Sequence, residues 1–298
     1  MISGTLLSST PVPLPTSVST MMKRAMNEHD YARFIAVQMF EIVYVSDGLR
    51  IHGFMALPPA NREGIYPGII FNRGGHGPRG ALNAVSAFAY AGLYASWGYV
   101  TVASNYRGHG GSEGVEEWGN NDVDDARNLL PLLSSLGYVD MSRIGIVGGS
   151  RGGMMALMML RNSSAFRAAV TIGAPTALHE ARKDESIRST VSLFIAKDYT
   201  MNSELEKRSA VCWSSELCAT TPLLILHGTG DKRVHPSHAL KLAAALQEHH
   251  HPYKLIMYDN ADHILAGRRN ESAVDIRAWL DRYVRDKQPL PKTGPHGA

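Results

Sequence analysis

For most of its length the chain alternates short apolar runs with longer stretches in which apolar residues recur at helical spacing. The runs at 68–71, 100–103, 144–147, 168–172, 223–226 and 254–258 are four or five residues long and nearly free of charge. Continuity of that kind predicts parallel strands covered on both faces. Among the intervening stretches, Ala239, Leu242, Ala243 and Leu246 share one helical face, as do Ile276, Trp279, Leu280, Tyr283 and Val284. Such stripes serve a core rather than a cofactor. Pro131 should kink the helical pattern over 122–136, and Gly137 should stop it. Nearer the start, the segments 41–46 and 50–57 flank Asp47-Gly48, the signature of a tight antiparallel hairpin, preceded by an amphipathic stretch over about 19–38. The alternation predicts a mostly parallel central sheet flanked by helices.

Two segments break the rhythm. Residues 81–106 carry no charge, a run long enough by itself for a membrane span. Asn83, Ser86, Gly92, Ser96 and Gly98 interrupt it, however, and it divides into a helix to about Trp97 and a strand from Tyr99 to Ser104, so no membrane association is expected. From 175 to 219 the strands lapse into a polar, helical insertion.

Charge and cysteine usage narrow the classes of function. The net charge is +3 and the basic residues are scattered, which excludes the dense footprint of a nucleic-acid-binding surface. The Arg268-Arg269 pair reads as a solvated loop. Cys212 and Cys218 are the only cysteines, too few for a disulfide framework. They fit a reducing, cytoplasmic setting, with a single bridge between them left open. Residues 1–20 are apolar and proline-rich but have no positive charge ahead of them, unlike a secretory leader, and read as a flexible extension.

The chemistry starts at Gly148-Gly149-Ser150-Arg151-Gly152, a Gly-x-Ser-x-Gly pattern. It directly follows the run at 144–147 and directly precedes the helical run at 154–160, the strand-turn-helix of a nucleophile elbow and hence of the α/β-hydrolase fold. A serine hydroxyl is a weak nucleophile near neutral pH and needs a base oriented by a third group. Of thirteen histidines, His263 lies in a turn-rich loop directly after the last predicted strand, where a side chain reaches the carboxyl edge of the sheet. His249, His250 and His251 read instead as a solvated run at a helix end, and His227, before Gly228, reads as a turn residue. Asp231 follows the run at 223–226 within His-Gly-Thr-Gly-Asp, which completes the order Ser, Asp, His of this fold. Asp259 and Asp262 stay open as rival acids, although neighbours so close in sequence seldom face the distal ring nitrogen.

Oxyanion donors are also required. The backbone N–H of Arg151 is one candidate, and the loop after the run at 68–71, Asn72-Arg73-Gly74-Gly75-His76, offers Gly74 or Gly75 as the second. Neither a Gly-x-Gly-x-x-Gly nor a Walker sequence occurs in this loop or in 107–114, and no cofactor and no metal is called for.

With those residues assembled, the segment from about Glu41 to Asp286 resembles the catalytic domain of the prolyl-oligopeptidase family. The resemblance rests on the Gly148–Met155 elbow, the stretch from Asn105 to Gly114, His227 to Asp231 with Val234, and Asp262-His263. It implies that Ser150, Asp231 and His263 form the triad and that Arg151 with Gly74 or Gly75 supplies the oxyanion donors. It departs where many members have His-Gly-Gly-Pro and this chain has Arg73-Gly-Gly-His76. The expected organisation is an extension with a helix over 1–40, an α/β-hydrolase catalytic domain over 41–286 with a small helical cap at 175–219, and a flexible tail over 287–298. Phe194, Tyr199 and Trp213 are the cap's candidate pocket aromatics, although such residues more often serve a local core than a substrate.

The large peptidases of that family also carry a β-propeller that selects peptides. Only about forty residues precede the hydrolase-like segment here, too few for one. The expectation is therefore hydrolysis of small carboxylic esters, a carboxylesterase-like activity through an acyl-enzyme. Cleavage of short peptides by a serine peptidase or aminopeptidase is the alternative. A non-catalytic binding protein on a hydrolase scaffold is a third reading, and homo-oligomerisation is left open.

Overall fold

A computed structural model describes residues 1–60, 64–181, 185–195 and 200–291. Nine strands, β1 (Leu6–Val12), β2 (Gln38–Ser46), β3 (Leu49–Leu57), β4 (Tyr66–Asn72), β5 (Val100–Ser104), β6 (Val139–Gly149), β7 (Ala168–Ile172), β8 (Leu223–Gly228) and β9 (Tyr253–Tyr258), form one sheet in the order β1-β2-β3-β5-β4-β6-β7-β8-β9. By its internal packing the chain divides into two compact units, one formed by Met1–Glu116 and Asn121–Gly145, the other by Glu117–Asn120 and the chain from Ile146 onward.

In the first unit, β1 (Leu6–Val12), β2 (Gln38–Ser46) and β3 (Leu49–Leu57) are antiparallel, β3 pairs antiparallel with β5 (Val100–Ser104), and β5 pairs parallel with β4 (Tyr66–Asn72). The hairpin expected at Asp47-Gly48 is present, with both residues at positive φ as a type I′ turn requires. The uncharged run becomes helix Ala84–Ala87, a π-turn at Phe88–Gly92, helix Leu93–Ser96 and then β5. Among the described residues no helix is long and apolar enough to cross a membrane. The kink expected at Pro131 falls at Asn128, between helices Asp122–Arg127 and Leu129–Ser135. Proline lacks an N–H, and its ring crowds the carbonyl four residues back, so the helix breaks one turn earlier. The amphipathic stretch is two helices, Thr16–Ala25 and Glu28–Ile35, the second capped by the Asn27 side chain accepting from Asp30 N at 2.8 Å.

The start of the chain is not the flexible extension its composition suggests. Leu6–Val12 runs from Leu6 opposite Tyr44 to Val12 opposite Met39 as an edge strand. Its side chains are mostly exposed, so it shows no alternation of burial, and the backbone ladder holds it. Pro11 is tolerated because an edge strand needs only half its ladder bonds.

Buried charge fastens the loop that follows β5. The Arg107 guanidinium donates to both Asp125 oxygens at 3.0 and 2.9 Å and to Asp47 Oδ2 at 2.8 Å, while Arg107 N donates to Asp125 Oδ2 at 2.7 Å. Burial alone would favour a neutral guanidine, yet the two carboxylates hold Arg107 protonated far above its ordinary range. The Tyr44 hydroxyl donates to Asp125 O at 2.6 Å. Arg73, also buried, donates to Asn105 O at 3.1 and 2.5 Å and lies over the Tyr106 ring at 4.6 Å.

The strand β6 (Val139–Gly149) leads into the second unit, which holds β7 (Ala168–Ile172), β8 (Leu223–Gly228) and β9 (Tyr253–Tyr258). The pairs β7–β8 and β8–β9 are parallel. Strand β8 is fully buried; β9, last in the order, is half-exposed, so it is not covered on both faces as its apolar run suggested. Between β7 and β8 the expected insertion is built from short turns of helix, Leu178–Glu180, Ser186–Ser192, Met201–Lys207 and Ala210–Glu216. Trp213 is buried, donates from Nε1 to Lys207 O at 3.2 Å and stacks under Arg161, so it belongs to the insertion's own core rather than to a pocket. Phe194 is partly exposed at the end of its helix, and Tyr199 lies outside the described residues, as does the tail from 292.

Three smaller expectations also change. Arg269 opens helix Arg269–Leu280, and Arg268 pairs with Glu271 at 2.9 Å, because an acid in the first turn draws the preceding cation onto the helix start. His249 and His250 are exposed, but His251 is buried against the carbonyls of Cys218 and Pro252 at 3.1 and 3.2 Å, and burial lowers its pKa. Both cysteines are free thiols.

Candidate active site

At the end of β6 the chain reverses at Ser150, with φ 52° and ψ −125°, and enters helix Arg151–Leu160. A non-glycine residue there costs about 1–3 kcal/mol, which the surrounding bonds must offset. Ser150 N donates to Ile172 O at 2.7 Å, and Ser150 O accepts from Gly153 N at 2.9 Å. So sharp a turn presses Gly148 onto the first helical turn, where a Cβ on Gly148 would run into the Gly152 carbonyl. That is the physical content of the glycines flanking the serine.

The acid and the base arrive on two loops of the same unit. After β8, Asp231 is fixed by its own turn: Oδ1 accepts from Arg233 N at 2.8 Å and from Val234 N at 3.0 Å. After β9, His263 sits within a turn in which Asp262 Oδ1 accepts from Ile264 N at 3.2 Å and Ala266 N at 2.9 Å. His263 Nδ1 lies 2.7 Å from Asp231 Oδ2, and Nε2 lies 2.8 Å from Ser150 Oγ. A carboxylate can only accept, so Nδ1 carries the hydrogen and Nε2 is left to accept from the serine hydroxyl. Burial by itself would raise the Asp231 pKa. Hydrogen bonds from His227, His263 and Val234 N outweigh it and hold the carboxyl well below the usual carboxylate range.

Of the residues singled out from the sequence, Ser150, His263 and Asp231 are brought together. The rivals are not: Asp262 spends Oδ1 on its own turn, and Asp259 is exposed. Arg151 is the first residue of its helix, where an N–H points out of the N-terminus. Its side chain is buried, with the guanidinium 5.7 Å from the centre of the Trp118 ring. Gly74 and Gly75 belong to the first unit, in the loop after β4, which Arg73 ties to Asn105. Among the described residues no group of three or more His, Cys, Asp or Glu side chains is arranged to hold a metal ion.

Two contributors escaped the sequence reading. Gly173 sits at φ +56°, where an added Cβ would lie 3.0 Å from His263 O and 3.2 Å from Nδ1, so a side chain there would be strained and would crowd the histidine. A lone glycine after a strand carries no signal of this. His227, read as a turn residue, is buried with Nε2 2.9 Å from Val234 O and 3.2 Å from Asp231 Oδ2. The spacing of histidine and aspartate four apart in a glycine-rich turn was the available signal.

The fold and the serine–histidine–aspartate line define the class: the protein is a serine hydrolase of the α/β-hydrolase fold. The model of the prolyl oligopeptidase family matches residues 85–287, and the chain belongs to that family. It is 26% identical over 254 residues to the uncharacterized peptidase YtmA of Bacillus subtilis (strain 168), a match over 82% of this chain and 93% of that one. It is 30% identical over 260 residues to dipeptidyl peptidase 8 of Homo sapiens, covering 80% of this chain but only 27% of that protein. Among solved structures, the acylaminoacyl peptidase of Pyrococcus horikoshii superposes with a TM-score of 0.72 at 18% identity, over 91% of this chain and 44% of that one. The chain thus spans nearly all of the first of these proteins and less than half of the other two.

Proposed function

We propose that the protein is a serine peptidase of the prolyl-oligopeptidase type acting on short peptides through an acyl-enzyme, with Ser150 as nucleophile, His263 as general base and acid, and Asp231 as the residue that orients the ring. The observation that carries this reading is the continuous hydrogen-bonded line from Ser150 Oγ to His263 at 2.8 Å and on to Asp231 at 2.7 Å. Ser150 Oγ attacks the scissile carbonyl as its proton passes to His263 Nε2, and Asp231 stabilises the imidazolium. The same proton then leaves with the amine, and water repeats the sequence on the acyl-enzyme. Arg151 N, with Gly74 or Gly75, is the proposed donor set for the oxyanion. The insertion over 175–219 is the proposed specificity element.

Peptides are preferred over esters because a relative spanned to 93% of its length carries the name peptidase. A non-catalytic role would call for a missing member of the line, and all three side chains are present and in reach.

The test has two arms. A fluorophosphonate should label the wild-type protein and fail to label Ser150→Ala; a folded wild-type chain that stays unlabelled would remove Ser150 from its role. In the second arm an aminoacyl anilide and a short-chain aryl ester are compared. Anilide turnover within about tenfold of the ester in kcat/KM supports the peptidase reading, about 1.4 kcal/mol in barrier. Ester turnover alone would return the carboxylesterase reading.

A further inference from the structure

Asp231 has four donors, and one of them is a buried side chain with no part in the reaction scheme. His227 is the penultimate residue of β8, paired in register with Met257 of β9, and is 1% exposed. Its Nε2 faces two atoms that can only accept, Val234 O at 2.9 Å and Asp231 Oδ2 at 3.2 Å. Nε2 must therefore carry a hydrogen, shared between them. The first acceptor closes the turn that Asp231 Oδ1 opens, since Val234 N donates to Oδ1 at 3.0 Å while Val234 O receives from His227. The second is the very oxygen that receives His263 Nδ1 at 2.7 Å.

We infer that His227 is a positioning residue for the acid: its Nε2–H holds the Asp231 turn against the end of β8 and fixes the rotation of the carboxylate so that Oδ2 points at His263. This rests on the roles proposed above for Ser150, His263 and Asp231. A carboxylate anchored only through Oδ1 to two backbone amides can still rotate about its Cα–Cβ and Cβ–Cγ bonds. A second donor to Oδ2, carried on a strand whose backbone is held by its register with β9, removes that freedom, and its longer contact of 3.2 Å leaves the 2.7 Å bond to His263 the closer one. The imidazole ring suits the place because it is planar, short enough for the strand end, and donates in the ring plane. The same donor compensates the carboxylate for its lack of water, which a hydrocarbon at this site could not do.

The experiment compares His227→Phe, His227→Gln and His227→Asn with the wild type and with Ser150→Ala. Reactive sites are first counted by stoichiometric fluorophosphonate titration, and rates are then expressed per titrated site. His227→Phe should lose about ten- to hundredfold in kcat and in the rate constant of fluorophosphonate inactivation, at unchanged KM, the size expected when one bond to a charged group is removed. Glutamine can bring an amide N–H to where Nε2 stands and should recover most of the loss; asparagine falls short of that position and should not. A role limited to keeping the turn folded would lower the titrated fraction and the melting temperature, leaving the rate per site alone. Wild-type rates per site in His227→Phe would overturn the inference. Should the phenylalanine variant not fold, equal rates for glutamine and asparagine would overturn it instead. Failure of the underlying reading has a different signature, a wild-type chain that takes no label or a Ser150→Ala chain that still does.

Discussion

Two glycine-rich loops, each following a strand and each built around a buried aspartate, do opposite things with the same materials. In the first unit, the loop after β5 surrounds Asp125 with a permanent cation: both oxygens are taken by Arg107, which also reaches Asp47. In the second, the loop after β8 gives Asp231 no permanent cation. Its donors are two backbone amides, His227 and His263. Even with that cation, burial outweighs the bonds from Arg107 and Ser46 and keeps the Asp125 carboxyl above its ordinary range, so Arg107 is what keeps this buried acid tolerable. At Asp231 the hydrogen bonds from His227, His263 and Val234 N outweigh burial and hold the carboxyl below its usual range, and in the proposed mechanism a proton arriving on His263 adds a positive charge beside it. The two buried aspartates thus differ in what faces the carboxylate, a permanent cation at Asp125 and hydrogen-bond donors on its own turn, on β8 and on the loop after β9 at Asp231.

Breaking that contrast at Asp231 should have the largest effect. Asp231→Asn keeps the volume and replaces an acceptor with a group that can donate to the ring, favouring the wrong tautomer of His263. Steady-state turnover should fall about 10⁴-fold in kcat while the melting temperature changes little. Retention of more than a tenth of wild-type kcat would mean that another acid orients the ring. In the first unit the effect should move to stability. Arg107→Met leaves Asp125 buried without its cation and should cost about 3–5 kcal/mol in urea unfolding, with turnover per titrated site unchanged. A loss below 1 kcal/mol would show that water reaches Asp125.

A third measurement uses pH. His238 Nδ1 accepts from Thr176 N at 3.0 Å and Ala177 N at 2.9 Å, pinning the root of the insertion. Burial first, then the nearby His227 and Lys241, lowers its pKa to about 4. Between the unfolded value near 6.5 and the folded value near 4, the unfolded chain binds a proton that the native ring refuses. Stability should therefore fall as pH falls through this window, by about 3 kcal/mol for this group, and level off below it. His238→Asn should flatten that dependence in unfolding curves taken at pH 7, 5.5 and 4; an unchanged slope would assign it to other groups. The smallest effect expected is that of Tyr44→Phe, which removes one donor to Asp125 O and should cost about 1 kcal/mol.

The contrast also explains what was legible in the sequence. Strands β4 to β8 announce themselves through unbroken apolar runs, because interior strands are buried on both faces. Ser150, Asp231 and His263 are recoverable because each sits at a strand end followed by turn residues, and chain order does the rest. Where a segment is held by backbone bonds alone, nothing in the side chains reports it; Leu6–Val12 is mostly exposed and looks like a loose extension. His227 and Gly173 are invisible for a related reason. One acts through a bond to a residue four positions on, the other through an atom it does not have. His251 was misjudged because its two exposed neighbours set the tone for a run of three.

The crowding at Gly148 has a consequence for how this protein can vary over generations. Every single-base change in a glycine codon that alters the residue introduces at least a Cβ, and at Gly148 that atom lands on the Gly152 carbonyl. The position thus has no tolerated neighbour one mutational step away, and drift there is closed in every direction at once. A saturation library at this codon, selected for fluorophosphonate labelling, should return glycine alone. The elbow is then a point at which the sequence is held fixed by backbone crowding alone, whatever the side chains around it become.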